Sequence, residues 1–372
     1  MIRSTYAGRR VLVTGHTGFK GSWLALWLKH LGAEVCGYAL APDTEPALYT
    51  LARVDHGIDS VYADVRDPAT LRATLERFQP EIVFHLAAQS LVRASYRNPV
   101  DTYATNVMGT VHLLDALRGI DSVRAAVVVT SDKCYRNGDG DMPRAGFTET
   151  APLGGADPYS SSKAATELVT EAWRHSFFPP DRIADHGVAL ASARAGNVIG
   201  GGDWAEDRLV PDMIRAFATG QPVAIRNPYA VRPWQHVLDP LWGYLLLAAR
   251  MLHNGQDYAR GWNFGPDAED ALTVAELATT FSGIWGGGAR WQTEPDATLL
   301  PEAFTLRLDC RAARARLGWQ PVLGLPGTLS ETAEWYRAWA HGRDARQLCL
   351  EAIARHEVAI APLANPPGNP IP

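Results

Sequence analysis

Residues 11–28 read VLVTGHTGFKGSWLALWL, and this stretch decides the fold. A short apolar run leads into glycines at positions 15, 18 and 21, and an apolar helical pattern follows them. Glycines let a backbone turn sharply and approach a ligand closely, while the free amides at the start of the next helix attract an anion. The stretch therefore predicts a strand, a phosphate loop and a helix that together bind a dinucleotide. The alternative is a plain turn between a strand and a helix.

Up to residue 195, short β-branched runs alternate with longer helical patterns. This alternation is typical of a parallel sheet covered by helices on both faces. We therefore predict an α/β protein with a Rossmann-type, doubly wound parallel sheet. Its strands are expected at residues 10–14, 34–39, 60–63, 82–86, 126–130 and 188–194, and its helices at residues 21–31, 68–78, 102–117 and 160–176.

The chain beyond residue 195 has a looser pattern that is rich in glycine, proline and tryptophan. We expect residues 1–195 to form a dinucleotide-binding domain, with a later return to the sheet near residues 232–265. Residues 196–360 are expected to form a smaller, interleaved α/β lobe that binds substrate, with helices at 209–219, 239–252, 274–285 and 325–340. The proline-rich end, residues 361–372, is expected to be a disordered tail because it has little to bury.

The composition is that of a globular protein, with 47% apolar residues and a net charge of −5 over 372 residues. The four cysteines are scattered without a C-x-x-C pair, which argues against a disulfide framework and against a zinc site, so no metal is expected. The acidic balance gives no reason to bind nucleic acid. The N-terminal residues MIRSTYAGRR have no apolar signal segment, and no window reaches the roughly 18 apolar residues of a membrane span. We expect a cytoplasmic protein without nucleic-acid or membrane partners.

A catalytic set is predicted where the strand at 126–130 ends in Ser131, Asp132 and Lys133. Further along the chain, Tyr159 and Lys163 stand four residues apart in a helical pattern and hence on one face of a helix. A nearby ammonium stabilises a tyrosinate, which turns the phenol into a base for a sugar hydroxyl, and a serine hydroxyl can bind the same substrate oxygen. The alternative for Tyr159 and Lys163 is an ordinary amphipathic helix face.

The adenosine end of the dinucleotide site is less well defined by the residues. The second strand ends without the acidic residue that usually grips the ribose, and Asp43 is the nearest acid. Asp64, or the neighbouring Val65 backbone, is better placed to meet the adenine ring, although Asp64 is as well explained as part of a helix cap. Lys20 could face a phosphate, so the residues alone leave both NAD and NADP open.

These residues resemble the extended short-chain dehydrogenase/reductases and, more closely, the nucleotide-sugar 4,6-dehydratases. The resemblance covers roughly residues 9–337 and is most specific in VTSDKCYRN, in RAGNVIGGGDWAEDRLVPD and in IRNPYAVRPWQHVLDPLWGYL. It implies a retained NAD cofactor and a nucleotide-sugar substrate, expected to be CDP-glucose, whose product would serve deoxysugar biosynthesis such as that of lipopolysaccharide O-antigen. The implied cofactor contacts are Gly15, Thr17, Gly18, Phe19, Lys20, Gly21, Asp64, Val65, Leu86, Ala87, Ala88, Gln89, Asn106, Tyr159 and Lys163.

The resemblance also implies a redox-neutral reaction. Tyr159 would take the proton from the 4-hydroxyl of the sugar while a hydride leaves carbon 4, Asp132 would be the general acid for the departing 6-hydroxyl, and the hydride would return to carbon 6. The dTDP-glucose relatives carry an Asp-Glu pair here, with Glu as the base at carbon 5, whereas this chain has Asp132 and Lys133. Lys133 would either take the carbon 5 proton or stabilise the enolate.

Three other functions remain possible from the sequence. The Asp-Lys pair also occurs in inverting UDP-N-acetylglucosamine 4,6-dehydratases. A nucleotide-sugar 4-epimerase would need only the Tyr159 chemistry and no acid beside it. A nonenzymatic dinucleotide sensor would not need Ser131, Tyr159 and Lys163 together.

Substrate contacts are expected after the sixth strand and in the second lobe. Asn197 and Arg232 resemble the family residues that contact the substrate phosphates, and Arg208 and Arg226 are either phosphate ligands or surface charges. The remaining candidates are Ser90, Arg93, Leu209 and Trp234. The helices at 102–117 and 160–176 correspond to the pair that builds a four-helix interface in such proteins, so a homodimer or homotetramer is expected.

Overall fold

The computed structural model describes residues 2–138, 143, 145–267, 270–294 and 305–363. The strands are β1 Arg10–Thr14, β2 Glu34–Ala39, β3 Asp59–Tyr62, β4 Ile82–His85, β5 Ala125–Val129, β6 Ala189–Ala195, β7 Asn197–Ile199, β8 Val223–Ile225, β9 Val231–His236, β10 Gly261–Phe264, β11 Ala271–Thr273 and β12 Trp291–Thr293. The tail expected from residue 361 lies, beyond residue 363, outside the described residues.

Helices surround these strands. They are α1 Ile2–Tyr6, α2 Phe19–His30, α3 Leu48–Leu51, α4 Pro68–Phe78, α5 Val92–Arg97, α6 Pro99–Tyr103, α7 Gly109–Leu117, α8 Pro158–Ser176, α9 Ile183–His186, α10 Leu209–Ala218, α11 Leu238–His253, α12 Gly255–Tyr258, α13 Val274–Trp285, α14 Leu325–Ala340 and α15 Ala345–Ile360. No helix in the described part of the chain combines the length and the apolar character needed to cross a membrane.

The large sheet has seven strands in the order β3-β2-β1-β4-β5-β6-β10. All of its strand pairs are parallel, and β1 pairs on one side with β2 and on the other with β4. This is the strand order of doubly wound dinucleotide-binding folds, in which ligands bind where the order reverses. The predicted Rossmann-type sheet is confirmed, and Gly261–Phe264 is the segment that returns to it late in the chain.

The strands are apolar almost throughout because helices cover both faces of the sheet. Leu12 and Val83 pack into the core on one face, whereas Val11 and Val13 pack into the core on the other. The second face carries α2, whose residues 21–28 are all buried. α15 covers α2 from outside, and the Trp27 indole donates a hydrogen bond of 2.9 Å to Glu357 on that helix. α15 is absent from the sequence prediction.

A smaller lobe follows β6. It contains a three-stranded sheet in the order β11-β9-β7 and a two-stranded sheet of β12 and β8, with α10, α13 and α14 around them. In the first of these sheets β7 pairs in parallel with β9, which places Asn197 opposite Trp234.

Two helices differ from their predicted bounds in ways that affect the site. α8 begins at Pro158 because Asp157 caps it by accepting a hydrogen bond from Ser160 N, so Tyr159 lies in the first turn. The helix predicted at 102–117 is instead α6, a π-helical turn at Ala104–Met108, and α7. Such π turns are rare and are found frequently at functional sites.

Candidate active site

A cavity of about 1010 Å³ lies along the carboxyl ends of the sheet strands, between the sheet and the smaller lobe. Its walls include residues that follow β1, β2, β3, β4, β5 and β6 in the chain. Every predicted site residue except Asn106 lines this cavity. The catalytic, cofactor and substrate candidates, which are far apart in the sequence, therefore share one space.

The glycine loop forms one wall of the cavity and has no room for side chains at two of its positions. A Cβ atom at Gly15, where φ is +76°, would lie 2.7 Å from Ala87 N, and a Cβ at Gly21 would lie 2.0 Å from the Gly15 carbonyl oxygen. Gly18 is the N-cap of α2 and provides no side-chain cap. The amides of the first turn are thus left to an outside acceptor, which is the environment that a pyrophosphate needs.

Lys20 lines the cavity, and its charge is affected by the catalytic residues Lys163 and Asp132. Its ammonium donates to the Tyr244 hydroxyl at 3.5 Å. Burial, together with the charges of Arg208 and Lys163, lowers the pKa of Lys20 to about 7, and Asp132 opposes this shift. That Lys20 faces a phosphate stays a prediction.

Asp64 lines the cavity, but its carboxylate is already bound. Arg66 donates to it through its backbone N at 2.8 Å and through its guanidinium at 2.6 and 2.9 Å. These hydrogen bonds hold the pKa of Asp64 below its ordinary value. The backbone at Val65 is therefore the better candidate for contact with an adenine ring.

Asn106 does not line the cavity, and its contact with the cofactor stays a prediction. It is buried in the π turn, where its side-chain oxygen accepts from Gln89 N at 2.8 Å. Its amide donates to the Gln89 carbonyl at 3.0 Å and to Ser162 Oγ at 2.8 Å. Asn106 thus joins the segment after β4 to α8, the helix that carries Tyr159.

Tyr159 and Lys163 are buried side by side on the first turns of α8. Lys163 Nζ donates to the Val129 carbonyl at 3.2 Å, which ties α8 to the end of β5. Burial raises the pKa of Tyr159 to about 12, and hydrogen bonding to Ser131 opposes the rise. Burial lowers the pKa of Lys163 to about 8, against the attraction of Glu167. An added positive charge in the cavity would bring the tyrosine closer to ionisation at neutral pH.

Asp132 sits beside Ser131 in a short 3-10 turn after β5. Only 2% of the residue is exposed, and Ser131 Oγ donates to its Oδ1 at 3.0 Å. Its Oδ2 has no hydrogen-bond partner among the described residues. Burial raises the pKa of Asp132, against the effect of Lys133. A buried carboxyl with a raised pKa and an unused oxygen is suited to donate a proton.

The substrate candidates form the opposite wall. Arg208 donates to Asp203 at 2.9 Å and to Ser90 Oγ at 3.0 Å, which links the smaller lobe to the segment after β4. Arg226 donates to Asp207 at 2.9 Å. The three-stranded sheet brings Asn197, Arg232 and Trp234 to the same wall, because they lie on its paired strands β7 and β9.

Sequence reasoning missed the carboxylates that hold these arginines. Asp203 and Asp207 lie in the quoted motif GGGDWAEDRLVPD, and both line the cavity. Their spacing from Arg208 is a local signal that could have identified them. The Asp207 contact with Arg226, in contrast, depends on the fold, because the two residues are 19 positions apart.

Comparison with known proteins gives a consistent set of relatives. The family model described as GDP-mannose 4,6 dehydratase matches residues 12–332. The chain is 51% identical over 342 residues to a CDP-glucose 4,6-dehydratase of Salmonella typhimurium, covering 92% of this chain and 94% of the relative. It is 26% identical to a dTDP-glucose 4,6-dehydratase of Haemophilus influenzae, covering 88% of this chain and 97% of that one.

Solved structures resemble the fold over most of its length. A dTDP-glucose 4,6-dehydratase from Streptomyces venezuelae, solved with NAD bound, superimposes with a TM-score of 0.72 at 26% identity and covers 88% of this chain and 97% of its own. A UDP-glucose 4-epimerase from Thermotoga maritima superimposes with a TM-score of 0.74 at 23% identity and covers 89% of this chain and 99% of its own. At this identity the likeness shows a shared fold and nothing about function.

Proposed function

The chain belongs to the GDP-mannose 4,6 dehydratase family, and from this premise we propose that it is a hydro-lyase that converts CDP-D-glucose into CDP-4-keto-6-deoxy-D-glucose and water with a retained NAD. The 51% identity to a CDP-glucose 4,6-dehydratase over nearly the whole length supports this substrate. The observation that carries the reaction is the presence of Asp132 beside the Ser131, Tyr159 and Lys163 set in one cavity. An epimerase has no use for that buried acid.

NAD fits the glycine-loop wall of the cavity. The crowding at Gly15 and Gly21 and the uncapped first turn of α2 provide a close approach and free amides for a pyrophosphate. The relative from Streptomyces venezuelae was solved with NAD bound, which supports the same cofactor here. When bound, NAD supplies a positively charged nicotinamide that accepts a hydride and later returns it. The domain that holds it is residues 1–195 with the late return to the sheet at Gly261–Phe264, and the substrate lobe lies within residues 196–360.

The first proton transfer belongs to Tyr159. Its phenolate takes the proton of the sugar 4-hydroxyl while Ser131 Oγ hydrogen-bonds to the same oxygen. The Lys163 ammonium stabilises the phenolate. Its position is set by the hydrogen bond to the Val129 carbonyl, so the two groups are held together before the substrate arrives.

Water loss belongs to Asp132 and Lys133. Oxidation at carbon 4 makes the hydrogen on carbon 5 acidic. Lys133 takes that proton, or another base takes it while Lys133 stabilises the resulting enolate. Asp132 protonates the departing 6-hydroxyl through its unused Oδ2. The 4-keto-5,6-ene that forms receives the stored hydride at carbon 6 and a proton at carbon 5, so no net oxidation takes place.

The remaining cavity wall binds the nucleotide. Arg232, Arg208 and Arg226 carry positive charge toward a pyrophosphate, and Asn197 offers an amide. Asp203 and Asp207 hold Arg208 and Arg226 in place by ion pairs of 2.9 Å. Ser90, Arg93, Leu209 and Trp234 complete the proposed contacts.

Two copies of the chain are proposed to pair through α6, the π turn and α8, with a homotetramer as the larger assembly. These segments expose apolar side chains that a monomer would leave in water, at Val100, Tyr103, Met108 and Leu168. Packed against a second copy, the two helical segments would form a four-helix interface.

Purified protein incubated with CDP-glucose, dTDP-glucose, UDP-N-acetylglucosamine and UDP-glucose, without added cofactor, tests the proposed substrate. A 4-keto product, detected by its absorbance in alkali, is expected from CDP-glucose in clear preference to the others. Turnover of another sugar with none of CDP-glucose would refute the proposal. An epimerised product in place of a ketone would assign the epimerase function instead.

A further inference from the structure

A buried ion pair lies behind the catalytic residues and is not used by the chemistry described above. Glu167 and Arg194 are 2.7 Å apart, and their side chains are only 3% and 6% exposed. Glu167 lies on α8, four residues after Lys163, and Arg194 lies on β6. Residues four apart on a helix are neighbours on one face, so the Glu167 carboxylate lies on the same side of α8 as the Lys163 ammonium.

The hydrogen bonds of Glu167 connect three elements. One carboxylate oxygen accepts from Thr130 Oγ1, and the other accepts from Ser192 Oγ at 2.6 Å and from Arg194 at 2.7 Å. Thr130 directly precedes Ser131. Glu167 therefore links the helix that carries Tyr159 to the strand end that carries Ser131.

Arg194 is itself held rigidly. Its guanidinium donates to the Tyr135 hydroxyl at 2.7 Å and to the Glu149 carbonyl at 2.8 Å, and the Tyr135 hydroxyl donates to Asn263 Oδ1 at 2.7 Å. Burial favours the protonated form of Glu167, but Arg194 and the hydroxyl donors hold its pKa below the ordinary value. The carboxylate is thus charged at neutral pH although it is buried.

The negative charge of Glu167 favours the protonated form of Lys163, which lines a cavity rich in other cations. Lys20, Lys133, Arg208 and Arg232 all line it. Burial lowers the pKa of Lys163, and Glu167 is the largest charge that opposes this effect. A neutral Lys163 would no longer stabilise the Tyr159 phenolate.

We propose that Glu167 is a positioning residue that keeps Lys163 charged and holds the Ser131 strand end against α8, while Arg194 keeps Glu167 ionised. This inference rests on the proposed function, because it assigns Glu167 a role in the proton transfer by Tyr159.

Other titratable groups also affect the charges of Lys163 and Tyr159. Those facing Lys163 are Glu167, Cys134, Lys20 and His85, and those facing Tyr159 are Asp132, Asp157, Arg208 and Tyr244. Only Glu167 among them is changed in the test below, so a shift in the pH profile reports on its charge.

The test compares the pH dependence of kcat on CDP-glucose for the wild type, Glu167→Gln and Ser192→Ala. Glu167→Gln keeps a hydrogen-bond acceptor but removes the charge, so Lys163 loses its proton at lower pH and the alkaline limb of the profile moves down by about one pH unit. Ser192→Ala removes a hydrogen bond to Glu167 and leaves the charge. Its alkaline limb is expected to coincide with that of the wild type.

The double variant Glu167→Gln/Arg194→Gln guards against misfolding, because it leaves no buried charge without a partner. Its alkaline limb is also expected below that of the wild type. An unmoved limb in both Glu167 variants, or an equal shift in Ser192→Ala, would overturn the role of Glu167. The wild type, measured alongside, distinguishes the proposed substrate from the proposed role of Glu167. If the wild type itself failed to convert CDP-glucose, the proposed substrate would be refuted and not the role of Glu167.

Discussion

At the scale of single residues, Tyr159 is proposed to carry different chemistry from the Asp132 and Lys133 pair. In the proposed reaction, Tyr159 acts on the sugar 4-hydroxyl and is needed for every later step, whereas the Asp132 and Lys133 pair acts only after carbon 4 is oxidised. Burial raises the pKa of Asp132, against the hydrogen bond from Ser131, and a carboxyl with a raised pKa suits an acid rather than a base. The two roles can be separated by substitution.

Tyr159→Phe removes the phenol that takes the first proton. We expect kcat to fall by roughly 10²–10⁴-fold, the usual contribution of a general base. No reduced nicotinamide should form, which absorbance of the enzyme mixed with CDP-glucose would show. Formation of reduced nicotinamide at the wild-type rate would assign the base to another group.

Lys133→Ala removes the ammonium beside Asp132 and leaves the Tyr159 set intact. Oxidation at carbon 4 should continue and water loss should stop, so reduced nicotinamide accumulates while no 4-keto-6-deoxy product appears. Rapid mixing followed by product analysis measures both. Full activity in this variant would remove Lys133 from the mechanism.

The sequence predicted most of these residues because strand ends and helix starts are local features. Ser131 follows an apolar run, and the four-residue spacing of Tyr159 and Lys163 places them on one helix face. The surroundings of Asn106 and Asp64 were not predictable in the same way. The π turn that buries Asn106 and the Arg66 guanidinium that occupies Asp64 depend on tertiary packing and backbone geometry that residue spacing does not encode.

At the scale of elements, the packing of α15 against α2 explains the apolar sequence of α2. α2 is apolar on all sides, which is unusual for a helix at the surface, because the sheet covers one side and α15 the other. The buried stripe of α15 includes alanines, Cys349 and His356 besides its larger apolar residues, and this weakens its apolar signal in the sequence. The helix is therefore recognised only in the structure.

Ile353→Ala tests the importance of the contact between α15 and the rest of the molecule. Ile353 is fully buried, so the substitution should lower the free energy of unfolding by about 3 kcal/mol through lost burial and a residual cavity. The matched control is Val358→Ala, because Val358 lies on the same helix and is 75% exposed. This control should change the free energy of unfolding by less than about 0.5 kcal/mol. Urea unfolding measures both, and equal losses would show that α15 is not packed as described.

At the scale of the whole molecule, the order of the strands was predictable because consecutive βα units in a doubly wound sheet follow few topologies. The smaller lobe was less predictable, since its short strands pair across long stretches of chain, as β8 does with β12. The cavity between sheet and lobe is a product of both parts. The sequence indicated single charged residues of its wall, such as Arg232, but not the wall that they form together.

Buried histidines should make the folded chain sensitive to acid. Burial lowers the pKa of His16 to about 4 and of His85, His236 and His356 to about 3. The unfolded chain binds these protons below about pH 6.5 and the folded chain does not, so each histidine lowers stability by about 1.4 kcal/mol per pH unit as pH falls from there. Burial raises the pKa of Asp239 to about 7 and also raises the pKa of Asp132, so these two carboxyls act in the opposite direction and offset part of the loss. Urea unfolding should give a much lower free energy of unfolding at pH 5 than at pH 7. Equal free energies at the two pH values would contradict the effect of the buried histidines.

Leu168→Glu tests the proposed pairing of two copies. Leu168 is 57% exposed on α8, and a carboxylate there would repel its own partner across a two-fold interface. The mass measured by light scattering should fall to that of a monomer, while Val358→Glu on α15 should leave it unchanged. A wild type that is already monomeric would refute the proposed assembly.

The central claim is that one hydride leaves carbon 4 and returns to carbon 6 of the same sugar. CDP-glucose carrying deuterium at carbon 4, converted by the purified enzyme and examined by NMR, tests it directly. The account predicts a 4-keto-6-deoxy product with the deuterium at carbon 6 and a solvent-derived hydrogen at carbon 5. Deuterium released to the solvent, or retained at carbon 4 of an epimerised sugar, would contradict it.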